Sequence, residues 1–333
     1  MATYFANSTM TSAPSLNSTD YTSLCNVLDA CLVNGFGSYT APGWATLYSN
    51  TGVRVYQAPK GNRFPLYINE NFFLAQNTAM AQGMQSFSSF DPLFATPNAY
   101  NMFPQYRNRG LYVAKYSTTG NTSIPWWFFG NQKCFYLFTA IAVQSGTYGS
   151  AGATYRTAPF FYGDYVSFVD GNPYNSLILA NNATPGATAS SNGLVVNRSS
   201  QSVASVTSTT AANAMYAANT FNGDNPGPTS AIGQIMYSNA GMVSGTTPTN
   251  IYDPATGRGV IQQALYSVGG NNSFLGKLPG LWLPQNTSSV TNGTNSGDTA
   301  IDSVYNTNTT FYYFTDYNYY NCLIEYNPST TWS

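Results

Sequence analysis

The stretch from Thr19 to Gly61 reads TDYTSLCNVLDACLVNGFGSYTAPGWATLYSNTGVRVYQAPKG, and it contains a helical pattern, a cluster of turns and the beginning of a sheet. Leu24 and Leu28 lie one helical turn apart, with apolar neighbours at the same spacing on either side. Thr19 suits the N-cap position, because a threonine hydroxyl accepts hydrogen bonds from the free amides at a helix start. The pattern predicts one helix over about residues 20–33.

The sequence after this helix favours a helix end followed by tight turns. Asn34, Gly35 and Gly37 are of the residue types that adopt left-handed backbone conformations most easily, and a helix C-terminus commonly requires such a conformation. Trp44 follows a second turn and is predicted to pack in the core. We interpret these four residues as a structural signature and not as an active site.

Short apolar and aromatic runs, separated by turn residues, continue along the chain. Residues 53–58 and 64–69 alternate as a first hairpin would, and Cys134 to Val143 form the clearest buried strand. Phe160 to Phe168 and Leu177 to Leu179 flank a turn and predict a second hairpin. The sequence therefore predicts a mainly β fold, with a sandwich-like core of short antiparallel strands and one N-terminal helix.

The chain divides by composition into four parts. Residues 1–18 predict an extended arm that frays or lies across a neighbour, and residues 19–180 a β-rich core. Within that core, the stretch 70–105 is rich in Phe, Met and Ala with interspersed prolines, which predicts irregular connections. Residues 181–250 form an insertion rich in Ala, Asn, Thr and Ser, and residues 251–333 bring strands back to the core.

Charge is scarce along the whole chain. Of 333 residues, 7% are charged and 16% aromatic, and the formal net charge is -1; ordinary soluble domains have about a quarter of their residues charged. Nucleic acids and anionic membranes are recognised through clustered Lys and Arg, so neither is an expected partner. A surface with so little charge does little to keep copies apart, which favours burial against neighbouring subunits.

Several classes of chemistry lack their residues. The absence of histidine removes Ser-His-Asp and Cys-His catalysis, and the acidic residues match no calcium loop or di-metal motif. No phosphate-binding glycine loop occurs, and the first residues do not have the pattern of a secretory signal. Cys25, Cys31, Cys134 and Cys322 are interpreted as buried free thiols. We expect no catalytic residue, cofactor or metal.

Two kinds of carbohydrate chemistry nevertheless stay open. The aromatic clusters that contain Trp126, Trp127, Tyr312 and Tyr313 have the composition of a sugar-stacking platform, although aromatic residues in strands commonly serve core packing. The first alternative is therefore a module that binds a host-surface glycan.

A pair of carboxylates at the right separation is the minimum that a glycosidase needs. Asp164, Asp170, Asp253 and Glu325 are the candidates, although Asp164 and Asp170 are better explained as caps of strand ends and turns, where such residues commonly lie. The second alternative is therefore a polysaccharide depolymerase that works through two carboxylates.

Four short segments resemble a family of tailed-bacteriophage virion proteins. They are Leu28 to Ser38 with Gly43-Trp44 behind it, Phe160 to Asp164, Leu278 to Trp282 and Ser329 to Trp332, in the family's order and spread over almost the whole chain. The first segment is the most specific. The resemblance implies a structural protein, tail-associated or decorating the particle exterior.

This resemblance sets the remaining expectations. It implies many copies in a virion that is assembled in the host cytoplasm, with copies of the same chain and other virion proteins as partners. It does not distinguish capsid, neck, tail, baseplate or fibre. The low charge of the chain independently favours homo-oligomeric assembly.

Overall fold

The computed structural model describes most of the first half of the chain and separate segments of the second half. The described residues are 2–72, 77–91, 96–103, 111–116, 120, 123–145, 153–181, 213–217, 232–234, 260–261, 264–267, 274–284, 296–297, 299–302, 306–316, 320–327 and 332. Across these ranges, the model contains no helix of the length and apolar character that spanning a membrane would require.

The N-terminal helix begins three residues later than the sequence suggests. Helix α1 covers Ser23–Leu28 and continues as a π-helical turn over Asp29–Asn34. Thr22 occupies the N-cap position without a side-chain cap, so the prediction of Thr19 as N-cap is wrong. The Thr19 hydroxyl instead donates to Asn17 Oδ1 at 2.7 Å, because the residues before the helix form a turn around that amide.

Glycine geometry ends the helix as the sequence predicts. Gly35 has a φ of 74°, and its amide donates to Ala30 O at 2.9 Å, which closes the π-helical turn. A Cβ atom at this position would lie 2.5 Å from Tyr39 O, so only glycine fits. Gly37 also has a positive φ, 52°, and Asn34 is the exposed last residue of the turn.

Glu70, which is distant in sequence, caps the start of α1. Its carboxylate accepts hydrogen bonds from Leu24 N at 3.2 Å and Cys25 N at 2.8 Å. Lys115 Nζ lies 2.9 Å from Glu70 Oε2 and also donates to Asp20 O. Both charged side chains are fully buried, so the Glu70 carboxylate depends on Lys115 and the helix amides, and the Lys115 ammonium depends on Glu70 and the Asp20 carbonyl.

Twelve of the described strands form one large antiparallel sheet. They are β1 (Tyr4–Asn7), β2 (Ala45–Asn50), β3 (Val53–Gln57), β4 (Leu66–Asn69), β5 (Thr78–Asp91), β6 (Thr96–Phe103), β7 (Leu111–Ala114), β8 (Trp126–Gly130), β9 (Cys134–Ser145), β10 (Thr154–Asp164), β12 (Ser176–Asn181) and β13 (Asn213–Ala217). The order is β1-β8-β9-β10-β12-β7-β5-β4-β3-β2, with β6 beside β5 and β13 beside β12.

The other described strands form two smaller antiparallel sheets. Their strands are β11 (Val166–Ser167), β14 (Ile232–Gln234), β15 (Val260–Ile261), β16 (Ala264–Ser267), β17 (Phe274–Lys277), β18 (Leu281–Pro284), β19 (Thr299–Asp302), β20 (Asn306–Asp316) and β21 (Tyr320–Tyr326). One sheet has the order β11-β17-β16-β14 and the other β15-β18-β21-β20-β19.

The two halves of the large sheet face each other across the main core. The Phe103 ring of β6 lies parallel to Tyr162 of β10 at 6.2 Å, and the Tyr162 hydroxyl donates to Phe64 O at 2.9 Å. Trp44 packs edge-on against Phe135 of β9 at 5.5 Å. Helix α1 fills the same core. The predicted fold class, mainly β with a sandwich-like core and an N-terminal helix, is confirmed.

A second core covers the opposite face of strands β8, β9, β10 and β12. There the C-terminal strands pack on the sheet, with Phe314 stacked on Phe138 at 3.9 Å. The Tyr136 hydroxyl donates to Pro279 O at 2.9 Å. Most of the chain between 181 and 250 lies outside the described residues, apart from β13 and β14.

Two local predictions need correction. The described part of 70–105 is not irregular, because β5 and β6 form a long hairpin in which Pro97 opposes Phe90. The N-terminal arm does not fray, because β1 pairs with β8 of its own chain and Phe5 packs on Phe129 at 4.9 Å. The four cysteines are buried and free, as predicted.

We expect removal of one partner of the buried pair to destabilise the fold strongly. Glu70→Ala leaves the Lys115 ammonium buried without its counter-ion and removes the acceptor of two helix amides. Urea denaturation should therefore show that the free energy of unfolding falls by about 3–5 kcal/mol. The free energy of unfolding should fall less in the double variant Glu70→Leu/Lys115→Met than in either single variant.

Arg54→Met is the matched control, since Arg54 pairs with Asp29 at 2.9 Å near the surface. The free energy of unfolding should fall by no more than about 1 kcal/mol in Arg54→Met. An equal loss for Glu70→Ala and Arg54→Met would contradict the role given to the buried pair.

Candidate functional site

Two of the four aromatic residues considered for sugar stacking are buried. Trp126 has no exposed surface, and its indole Nε1 donates to Pro14 O at 3.1 Å. Tyr313 is buried in a small cluster with Trp282 and Phe311. Stacking on a sugar requires an open ring face, and these two positions do not offer one in this structure.

The other two aromatic residues are partly buried between the large sheet and the C-terminal strands. Trp127 packs edge-on against Phe314 at 5.6 Å, and a Cβ on Gly297 would lie 2.5 Å from its Nε1. The Tyr312 ring lies 4.4 Å from Phe5. Both rings therefore hold the second layer of strands to the first.

A cleft lies where the turn between β8 and β9, the end of β10 and the C-terminal segment meet. Its volume is about 290 Å³, and it combines polar side chains with an indole wall. The lining residues are Asn131, Lys133, Cys134, Asp164, Tyr165, Val166, Ser167, Asn175, Pro279 and Trp332. Parts of three segments that carry the family resemblance thus meet at one place.

Asp164 is the buried acidic residue of this cleft. Its Oδ2 accepts a hydrogen bond from Asn62 N at 2.9 Å, and its Oδ1 accepts one from the Ser176 hydroxyl. These bonds connect the loop between β3 and β4 to the start of β12 across the end of β10. The carboxylate is therefore engaged in joining three parts of the large sheet.

Burial dominates the electrostatics of Asp164. It raises the pKa of the carboxyl group, while the hydrogen bonds from Ser176 and Asn62 and the charge of Lys133 lower it in part. A carboxyl group with a raised pKa can act as a general acid. Glycoside hydrolysis nevertheless needs a second carboxylate, and Asp164 is the only one among the described residues that line the cleft.

The other predicted carboxylates have different surroundings. Asp170 is exposed on the turn after β11, and Glu325 Oε2 accepts the indole hydrogen bond of Trp282 at 2.9 Å. Asp253 lies outside the described residues. The described carboxylates therefore do not form a pair within the cleft.

The thiol in the cleft is unsuited to nucleophilic chemistry. Burial raises the pKa of Cys134, and the nearby Asp164 carboxylate raises it further. Asn131 Oδ1 accepts from Lys133 N at 2.7 Å and Cys134 N at 3.0 Å, which fixes the turn. Trp44 Nε1 donates to Asn131 O at 3.0 Å, so this signature tryptophan is buried, as predicted, and supports the turn.

Trp332 forms the wall on the C-terminal side. Its Nε1 donates to Glu325 O at 2.8 Å, and its ring lies edge-on to Tyr136 at 5.6 Å. Gly280 has a φ of 65°, and a Cβ there would collide with the Trp332 indole. Glycine is thus required at position 280 by both conformation and space.

No local sequence pattern predicts the polar residues that make the most long-range contacts. Glu70 and Lys115 are separated by 45 residues, and each binds groups that no local pattern connects to it. Asn131 and Lys133 lie in an ordinary polar turn between two aromatic strands. Only the pairing of distant strands brings such residues together.

Comparison with known proteins finds no family model that matches the chain and no matching curated protein. The inference of function therefore starts from the chain's own residues. In the described part, those residues form a well-packed architecture with a polar cleft that contains one acidic and one basic side chain.

The pH dependence of stability tests the environment of Asp164. The pKa of Asp164 is raised in the folded state, so the folded protein binds this proton more tightly than the unfolded chain does. This proton binding stabilises the fold below pH 4, and the stabilisation is lost as the pH rises through the folded pKa. Asp164→Asn should remove that decline, whose slope is at most about 1.4 kcal/mol per pH unit for one proton.

The measurement is chemical denaturation of both proteins between pH 3 and pH 7. Asp170→Asn, at an exposed turn position, is the control variant. Parallel pH profiles for the wild type and Asp164→Asn would contradict the assignment.

Proposed function

We propose that this chain is a non-enzymatic structural component of a tailed-bacteriophage virion, present in many copies and located on the tail or as an exterior decoration. Its partners would be copies of itself and other virion proteins, within a particle assembled in the host cytoplasm. The resemblance of four segments to the virion family supports this kind of particle. The structural roles of their residues support a non-enzymatic function.

The observation that carries the proposal is how these segments are used. Gly35 ends the helix, Trp44 supports the turn at Asn131, and Gly280 accommodates the Trp332 indole. The Trp44 and Gly280 contacts join distant parts of the chain, and the Gly35 contacts close the helix end locally. A family that shares such residues shares an architecture, as structural virion proteins do.

The side chains that could take part in acid–base or nucleophilic chemistry are consistent with this interpretation. Asp164 is bonded to Asn62 and Ser176, and Glu70 is bonded to Lys115 and the helix start. The four cysteine thiols are buried. The buried carboxylates of the described interior thus connect separate elements of the fold.

The composition adds support for assembly. A net charge of -1 on 333 residues provides little electrostatic repulsion between copies. Many identical chains can then pack at close range, as they must in a particle.

Quantitative mass spectrometry of purified particles tests the proposal. In particles of the phage that encodes this chain, the protein should be present in a fixed multiple of the copy number of a known single-ring protein. A replication protein of the same phage is the control and should be absent. Finding this chain only in the lysate and not in particles would overturn the proposal.

The non-enzymatic part has its own test. Purified protein incubated with host capsule or lipopolysaccharide should release no oligosaccharide. Release by the wild type that disappears in Asp164→Asn would contradict the proposal and favour the depolymerase alternative.

A further inference from the structure

An apolar turn projects from the surface directly beside the cleft. Phe168 and Val169 are 56% and 38% exposed, so two neighbouring apolar side chains are accessible at this turn. They follow Val166 and Ser167, which line the cleft. We call Phe168 and Val169 the knob; it is adjacent in the chain to the cleft lining.

Hydrogen bonds hold the knob in a fixed conformation. Val169 N donates to Ser167 Oγ at 3.1 Å, and Asn172 Nδ2 donates to the same oxygen at 3.3 Å. Asn172 Oδ1 in turn accepts from Tyr174 N at 2.9 Å. A turn ordered in this way loses little conformational entropy when it binds, which favours affinity.

The cleft suits an uncharged, partly apolar occupant. Its lining contains one acidic residue, Asp164, and one basic residue, Lys133, so it has no formal net charge. Trp332 and Pro279 supply apolar walls, and the volume of about 290 Å³ accommodates a side chain of aromatic size.

We propose that the knob of a second copy of this chain occupies the cleft. Both halves of the contact lie side by side on each molecule, so two copies related by a two-fold axis can insert each knob into the other's cleft at the same time. The near-neutral charge of the chain adds little repulsion to such a contact. This inference rests on the proposed multicopy function and specifies the surface through which copies meet.

The knob variant is the first test. The wild type should dimerise reversibly in sedimentation-velocity experiments over a concentration series, and Phe168→Ala should weaken dimerisation by at least about tenfold, as loss of an interface anchor does. Tyr100→Ala is the matched control, because Tyr100 is 71% exposed on β6, a strand that contributes no residue to the cleft lining, and it should leave dimerisation unchanged.

A mixing experiment tests reciprocity. Val166→Arg places a long charged side chain in the cleft, so it should weaken dimerisation as Phe168→Ala does. A mixture of the two variants restores one intact contact, between the knob of Val166→Arg and the cleft of Phe168→Ala. The mixture should therefore associate more tightly than either variant alone.

Three results would overturn the inference. They are a wild type that stays monomeric at all concentrations, equal weakening by Phe168→Ala and Tyr100→Ala, and a mixture that associates no better than the separate variants. Circular dichroism of each variant verifies the fold, and Phe168→Glu provides a second knob variant. Particle mass spectrometry is independent of these results, so a virion protein that fails them keeps its proposed function and loses only this interface.

Discussion

The buried pair of Glu70 and Lys115 is the constraint on which the main core depends. Glu70 follows β4, Lys115 follows β7, and both meet at the first turn of α1. Neither charge is tolerable in the interior alone, because desolvation of a single ion costs several kcal/mol. A shift of either strand by one residue would separate the charges, so the pair selects the strand register as well as the helix position.

The same use of charge recurs near the helix and in the cleft. Arg54 of β3 is paired with Asp29 of the π-helical turn, and Asp164 joins Asn62 to Ser176. A chain with few charged residues thus places several of them where they connect elements. Its cohesion otherwise comes from aromatic packing in two layers, in which alternate residues of β8 point to opposite cores: Trp126 to the main core and Phe129 to the second.

Burial of these strands on both faces explains which features could be predicted from the sequence. Periodicity identified the helix and most strands, and glycine chemistry identified the helix end at Gly35. The β5–β6 hairpin was not predicted, because Met, Gln and Ser occupy positions where β-branched residues are usual. The aromatic clusters suggested a binding platform because a strand buried on both faces and a strand with an exposed aromatic face have similar local sequences. Burial of Trp126 depends on the second layer of strands, which no local pattern specifies.

The resemblance to virion proteins acquires a physical meaning from these contacts. Its segments coincide with sites where substitution is costly for any function, such as Gly280 against Trp332 and Gly35 at the helix end. Features that give this chain its particular contacts should therefore lie at positions that neither core constrains. The exposed Phe168–Val169 turn fulfils this condition, because it begins just after the Phe160 to Asp164 segment and its apolar side chains contribute little to either core. An exposed apolar turn that folding itself does not require is available for a contact made after folding.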